Sequence, residues 1–176
     1  MSLNHKSAEW IGLVPAAGTA ARISPLPCSK EIFPIGFGQL GPRGRQRPKA
    51  VAHYLLDQMR MAGAKQVYLV LSKGKWDIPA YFGDGTMVNM AIAYLITELP
   101  YGVPFTLDSA YPFLADRHVM FGFPDIILQP DDIYRRLQDQ MCTGNADLVL
   151  GLFRAVNPHK ADMVALGDDG VIAGID

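Results

Sequence analysis

The sequence predicts an α/β fold, with a mostly parallel β-sheet covered by helices on both faces. Two observations predict it. Short apolar runs alternate with helical stretches along the chain, and those runs are almost continuously apolar instead of alternating in and out. "WIGLVPA" (10–16) reads as the first buried strand and leads into a small-residue loop at 16–21. "PKAVAHYLLDQMRMAGA" (48–64) puts Val51, Tyr54, Leu55 and Met59 on one helical face, with Pro48 at its start and Gly63 at its end. "QVYLVLS" (66–72) is the second strand; "WDIPAYFGDGT" predicts a short helical turn and a Gly-Asp-Gly loop. "AIAYLI" (91–96) is the third strand, and "VPFTLDSAYPFL" a helix broken near Pro112. "HVMFGF" (118–123) is the fourth strand. "PDDIYRRLQDQMCTG" (130–144) is a helix with Asp131 and Asp132 near its positive end and Gly144 as its stop. "ADLVLGLF" (146–153) is expected as a fifth strand, and "MVALGDDGVIAGI" as a C-terminal β-hairpin around Asp-Asp-Gly. The Gly/Arg-rich stretch "GFGQLGPRGRQRP" (36–48) is expected as an exposed insertion without regular structure.

With 176 residues, one domain is the natural count. A net charge of −1 gives no footprint for nucleic acid or an anionic membrane. Cys28 and Cys142 lie far apart without paired-cysteine spacing, which argues against a zinc site or disulfide framework and for a reducing cytoplasm. The beginning of the chain lacks the apolar stretch of a secretory signal, and no apolar run approaches membrane-spanning length.

Parallel sheets bind ligands beyond the carboxyl ends of their strands. The loop after the first strand and "GFPDIIL" after the fourth both fall there. In "LVPAAGTAARISPLPCSKEIFPIG" (13–36), Ala16, Ala17, Gly18, Ala20 and Ala21 allow close backbone approach to an anion, although a simple tight turn explains them as well. Arg22 and Lys30 add two cations suited to phosphate; the alternative is a pair of snorkelling side chains with wet heads. The stretch has neither the phosphate-loop Gly-Lys-Ser/Thr nor G-x-G-x-x-G, which disfavours a dinucleotide-dependent oxidoreductase.

"LVPAAGTAARISPLPCSKEIFPI" resembles the signature of the sugar-phosphate nucleotidylyltransferases, and "SKEIFPI" is similar to that of glucose-1-phosphate thymidylyltransferases. The resemblance continues in order through "RPKAVAHYLLDQMRMAGAKQVYLVLS", "YFGDGT", "AIAYLI", "PYG" and "ADLVLGLFRAVNPHKADMVALGDDGVIAGID". It implies a Rossmann-like, doubly wound sheet of the nucleotide-diphospho-sugar transferase type. It also implies transfer of a nucleotide from a nucleoside triphosphate to a sugar 1-phosphate, with release of pyrophosphate. On that resemblance Arg22 and Lys30 are catalytic, and Ala16, Ala17 and Gly18 hold the nucleotide. Gly102 lies beside the nucleoside, Thr97 falls near the base-reading position, and Asp125 ligates Mg²⁺. Assembly as a homo-oligomer is a further expectation.

Several positions depart from the pattern. Ala20 and Ala21 stand for Gly-Thr, and Phe123 and Pro124 separate Gly122 from Asp125. The chain stops about where a sugar-binding part is expected to begin, so it is expected to be an incomplete form of a longer enzyme. A non-catalytic nucleotide- or sugar-phosphate-binding protein of the same fold is the alternative. The four histidines, and Ser29 with no indicated His or Asp partner, read as structural.

Overall fold

The computed structural model describes residues 9–40, 44–98, 102–144, 146–155, 157, 159 and 161–175. Four strands form the central sheet: β1 (Trp10–Ala16), β4 (Gln66–Ser72), β5 (Ala91–Thr97) and β6 (His118–Phe121). They are hydrogen-bonded in the order β5-β4-β1-β6, and every pair is parallel. From β1 the chain moves outward through β4 to β5, then returns to place β6 on the other side of β1. The order therefore reverses between β1 and β6.

Both faces of this sheet are covered, which is why its strands are apolar throughout. On one face Val14, Ala16, Val67, Leu69 and Leu71 pack against Leu55, Leu56 and Met59 of α1 (Val51–Met61). Ile78 and Phe82 of α2 (Asp77–Phe82) complete that layer. On the other face Ile11, Leu13 and Val70 meet Leu107 of α3 (Val103–Asp108), Ala110, and Leu114 of α4 (Tyr111–Leu114). Alternate residues of one strand thus serve different helices, so neither face of β1 or β4 can be polar. Gly12 is required by close packing, because a Cβ there would stand 2.9 Å from Val67 Cγ2 and 3.0 Å from Met59 Sδ. Gly63, at φ +99°, ends α1 in the left-handed conformation its position predicts.

The last long helix, α5 (Ile133–Gly144), fixes the loop that follows β6. Its buried Tyr134 donates to the carbonyl of Phe121 at 2.8 Å, and Gln58 of α1 donates to the carbonyl of Leu128 at 2.8 Å. Both ends of the segment 121–128 are thereby tied to helices. Gln138 and Arg135 also reach the C-terminal carbonyls Ala62 and Met61.

Two expectations are corrected. The stretch 36–48 is regular after all: β2 (Pro34–Leu40) and β3 (Arg45–Ala50) form an antiparallel hairpin. Its glycines serve side-chain clearance, Gly36 lying against Tyr54 Oη and Gly38 against Lys49. Lys49 ties the hairpin to α1 through Asp57 at 2.8 Å and stacks over the Tyr54 ring. Arg43 lies outside the described residues. Conversely, 146–153 does not form a strand among the described residues. Leu148, Leu152 and Phe153 stay exposed, so the burial that would offset strand ordering is missing. The C-terminal hairpin forms as β7 (Val164–Leu166) and β8 (Ile172–Ile175). No helix among the described residues is long and apolar enough to cross a membrane.

Two measurements check this packing. Leu55→Ala leaves a cavity between α1 and the sheet and is expected to cost about 2–5 kcal/mol in denaturant unfolding. His53 is fully buried beside Phe82, its Nε2 3.2 Å from Tyr81 Oη. Desolvation lowers its pKa to about 4; Asp57 pulls it up and Lys49 pulls it down by lesser amounts. A folded-state pKa below the ordinary 6.5 means the unfolded chain takes the proton first. Stability is therefore complete above about pH 6.5 and is lost as pH falls towards about 4, by on the order of 3 kcal/mol. His53→Gln is expected to flatten that part of the pH-stability curve.

Candidate functional site

The carboxyl ends of all four parallel strands share one edge, and the reversal of strand order opens a crevice between β1 and β6. Residues 17–29 leave β1 on one side of it, and the pinned segment after β6 forms the other. Lys30 and Asp125 meet across this gap, Nζ to Oδ2 at 2.7 Å. The structure therefore brings together two of the residues singled out in the sequence, although ninety-five positions separate them. Asp125 is the more exposed partner.

Ala16 and Ala17 are buried where β1 ends, and Gly18 emerges into solvent. A Cβ added at Gly18 would meet only Lys30 Nζ, at 3.9 Å, so this backbone passes just over the ammonium. Ala20, standing where the family pattern has glycine, adopts φ +57°, and the turn closes through Ile23 N–H to Ala20 O at 3.0 Å. A non-glycine residue there carries backbone strain on the order of 1 kcal/mol.

Two fastenings hold the other end of this loop. Ser29 donates twice to Asp77 at the start of α2, from its backbone N–H and from Oγ, each at 2.7 Å. Ser29 thus does have an aspartate partner, contrary to expectation, but as a clamp. Burial alone would raise the Asp77 carboxyl; the two Ser29 hydrogen bonds, with backbone N–H groups of Asp77 and Ile78, outweigh it and hold the pKa below the ordinary value. Next to Lys30, Glu31 is 1% exposed. Lys75 Nζ donates to Glu31 Oε1 and to the carbonyl of Ala16, both at 2.8 Å. A buried carboxylate is tolerated only with such a partner. Among the described residues Glu31 Oε2 has no hydrogen-bond partner.

A cleft of about 200 Å³ is lined by the loop residues Thr19, Ala20, Ser24, Leu26, Cys28, Ser29 and Lys30 and by Lys75; Ala16, Ala17, Gly18 and Asp125 are not part of that lining. Arg22 lies on the same loop but is exposed and outside that lining. Thr97 ends β5, where its carbonyl accepts from Lys73 N–H. Gly102, at φ +110°, precedes α3, and its carbonyl receives Thr106 N–H and Oγ1. Neither lines the cleft. Asp132 pairs with Arg136, as a helix-start acid should. Among the described residues no cluster of three or more His, Cys, Asp or Glu could hold a metal. Sequence reasoning missed Glu31, Lys75 and Asp77. The one available signal was an acid, Glu31, inside an apolar segment.

The class this architecture defines is a Rossmann-like α/β fold, a mostly parallel sheet covered on both faces. It aligns with TM-score 0.74 and 14% identity to a structure provisionally assigned as a glucose-1-phosphate thymidylyltransferase from Bacillus anthracis, over 95% of this chain and 63% of that one. A UDP-glucose pyrophosphorylase complexed with UDP-glucose aligns with TM-score 0.61 and 14% identity, over 78% of this chain and 55% of that one. In sequence the chain is similar to two curated proteins. One is the low-salt glycan biosynthesis nucleotidyltransferase Agl11 of Haloferax volcanii, 24% identical over 90% of this chain. The other is a glucose-1-phosphate thymidylyltransferase of Streptomyces griseus, 25% identical over 93%. The chain spans 42% and 43% of their lengths. No protein-family model matches. The likeness to sugar-phosphate nucleotidylyltransferases is thus found in both sequence and fold.

The Ser29 clamp has a direct check. Ser29→Ala removes one donor to Asp77, and an NMR pH titration should show the Asp77 pKa rising towards the ordinary carboxylate value.

Proposed function

We propose that the chain is the nucleotide-binding part of a nucleotidylyltransferase that joins a nucleoside triphosphate to a sugar 1-phosphate. The observation that carries this reading is the Lys30–Asp125 pair at 2.7 Å, a cation and a hard carboxylate facing each other at the strand-order reversal. In the reaction an oxygen of the sugar phosphate attacks the α-phosphorus of the triphosphate. The bond from that phosphorus to the bridging oxygen breaks, and pyrophosphate leaves with the electron pair. No covalent enzyme intermediate is required, so the protein's work is positioning and charge stabilisation.

The backbone at Gly18 is open on the side facing Lys30 and admits phosphate oxygens close to its amide groups. Lys30 exchanges Asp125 for a phosphate oxygen and neutralises charge near the α-phosphorus. A cation about 4 Å from a phosphate in such a partly screened site supplies roughly 4 kcal/mol. Arg22, exposed on the same loop, closes on the outer phosphates. Thr97 and Gly102, on the same sheet edge, lie on the nucleoside side.

Asp125 offers one exposed carboxylate, a donor that fits Mg²⁺ held mainly by phosphate oxygens and waters. When bound, the ion would supply charge neutralisation of the phosphates. The setting is cytoplasmic and the partners are small molecules, with neither nucleic acid nor membrane involved.

Calorimetry with a panel of nucleoside triphosphates, with and without magnesium, tests the reading. Arg22→Ala and Lys30→Ala are expected to weaken binding at least tenfold, and Asp125→Asn to remove the magnesium dependence. Equal affinity for wild type and Arg22→Ala would remove Arg22 from the site. Ala20 in a strained conformation supports a second reading, a binding protein without turnover. Pyrophosphate release in the presence of sugar 1-phosphates separates the two.

A further inference from the structure

Lys75 occupies a different position in the cleft from Lys30. Its side chain is 13% exposed, against 24% for Lys30, and it forms part of the cleft lining. An ammonium has three N–H donors. Two of those on Lys75 are committed, to Ala16 O and to Glu31 Oε1. Among the described residues the third has no partner, and it sits on a group that borders the cleft. The Glu31 carboxylate that holds it is almost wholly buried and belongs to the residue directly after Lys30.

The two lysines therefore face an incoming anion differently. Lys30 must first give up Asp125, its partner across the crevice. Lys75 needs to break nothing. Its flexible stem is already fixed by two 2.8 Å hydrogen bonds, so the ordering that a mobile lysine would undergo on binding is complete before the ligand arrives. The anchoring carbonyl, Ala16 O, ends β1 at the point where the open backbone of Gly18 begins. A phosphate held by that backbone lies within the region a third N–H of Lys75 borders.

We propose that Lys75 is a second phosphate-binding cation of this cleft, held in place by Glu31 and the Ala16 carbonyl. The proposal rests on the reading of the cleft as a polyphosphate site and extends it to a residue outside the motif. Glu31 is a positioning residue: it sets the Lys75 ammonium and touches no ligand. It also offsets part of the Lys75 charge, so Lys75 acts chiefly as a pre-aimed donor, whereas Lys30 acts as the mobile charge.

The test uses inorganic tripolyphosphate as the probe, titrated calorimetrically into the whole chain over a series of salt concentrations, with thermal unfolding of every variant. Lys75→Met alone strands a buried carboxylate, so the informative variant is the double change Lys75→Met with Glu31→Gln, which leaves the pair uncharged. A folded double variant is expected to bind at least tenfold more weakly than wild type, with a shallower salt dependence. Glu31→Gln alone keeps the ammonium and removes the offsetting charge, and is expected to bind severalfold more tightly. A folded double variant with wild-type affinity overturns the proposal and leaves Lys75 as a strut. Should the double variant not fold, Glu31→Gln decides, and unchanged affinity there overturns it. Lys30→Ala is the control. Loss of affinity in that variant, beside an unaffected double variant, sinks the Lys75 proposal while sparing the polyphosphate reading. Absence of binding by wild type overturns both.

Discussion

Parallel strands can be joined only by crossovers that run the length of the sheet, and that requirement shapes the rest of the molecule. It places helices on both faces and demands apolar residues on both sides of β1 and β4. It also delivers every strand's carboxyl end to one edge. The loops that carry Gly18, Lys30 and Asp125 are neighbours because of this directionality, whatever their own sequences prefer. The reversal between β1 and β6 then sets Lys30 and Asp125 on opposite sides of that edge.

A loop of small residues is a poor holder of geometry unless something outside it does the holding. Here the restraint comes from charged and hydroxyl groups. Ser29 grips Asp77 at the start of α2, and Lys75 ties the Glu31 carboxylate to the end of β1. Burying Glu31 among apolar neighbours is costly in itself and persists because the ammonium compensates it. The segment after β6 is restrained in a comparable way, by Tyr134 and Gln58 hydrogen-bonding to its backbone carbonyls. Both walls of the crevice are therefore anchored to α1, α2 or α5, while their tips stay open to solvent.

The sequence shows most of the central sheet, because strands buried on both faces must be written as uninterrupted apolar runs. The runs at 10–16 and 66–72 coincide with β1 and β4, and the third and fourth differ from β5 and β6 only at their ends. The apolar run at 146–153 carries the same signature without being a strand, since composition states what a segment can do and not whether an edge is there to receive it. The glycines of 36–48 suggest irregularity, yet in β2 they are what lets Tyr54 and Lys49 lie against the strand. The motif residues Lys30 and Asp125 were legible as separate signals, and their meeting depends on sheet topology. The pairing of Glu31 with Lys75 was not legible, because a charge pair forty-four positions apart leaves no periodicity to detect.

The pairing of Ile11 with Val119 closes the longest loop in the central sheet. A chain growing from its N-terminus can set β1 against β4 early, but the far wall of the crevice cannot exist until β6 has been synthesised and has docked. Non-local pairings of this kind form late, after the entropy of closing the intervening chain has been overcome. Lys30 consequently spends the first part of the protein's life without its carboxylate. The crevice therefore gains its second wall only with the last of the core pairings.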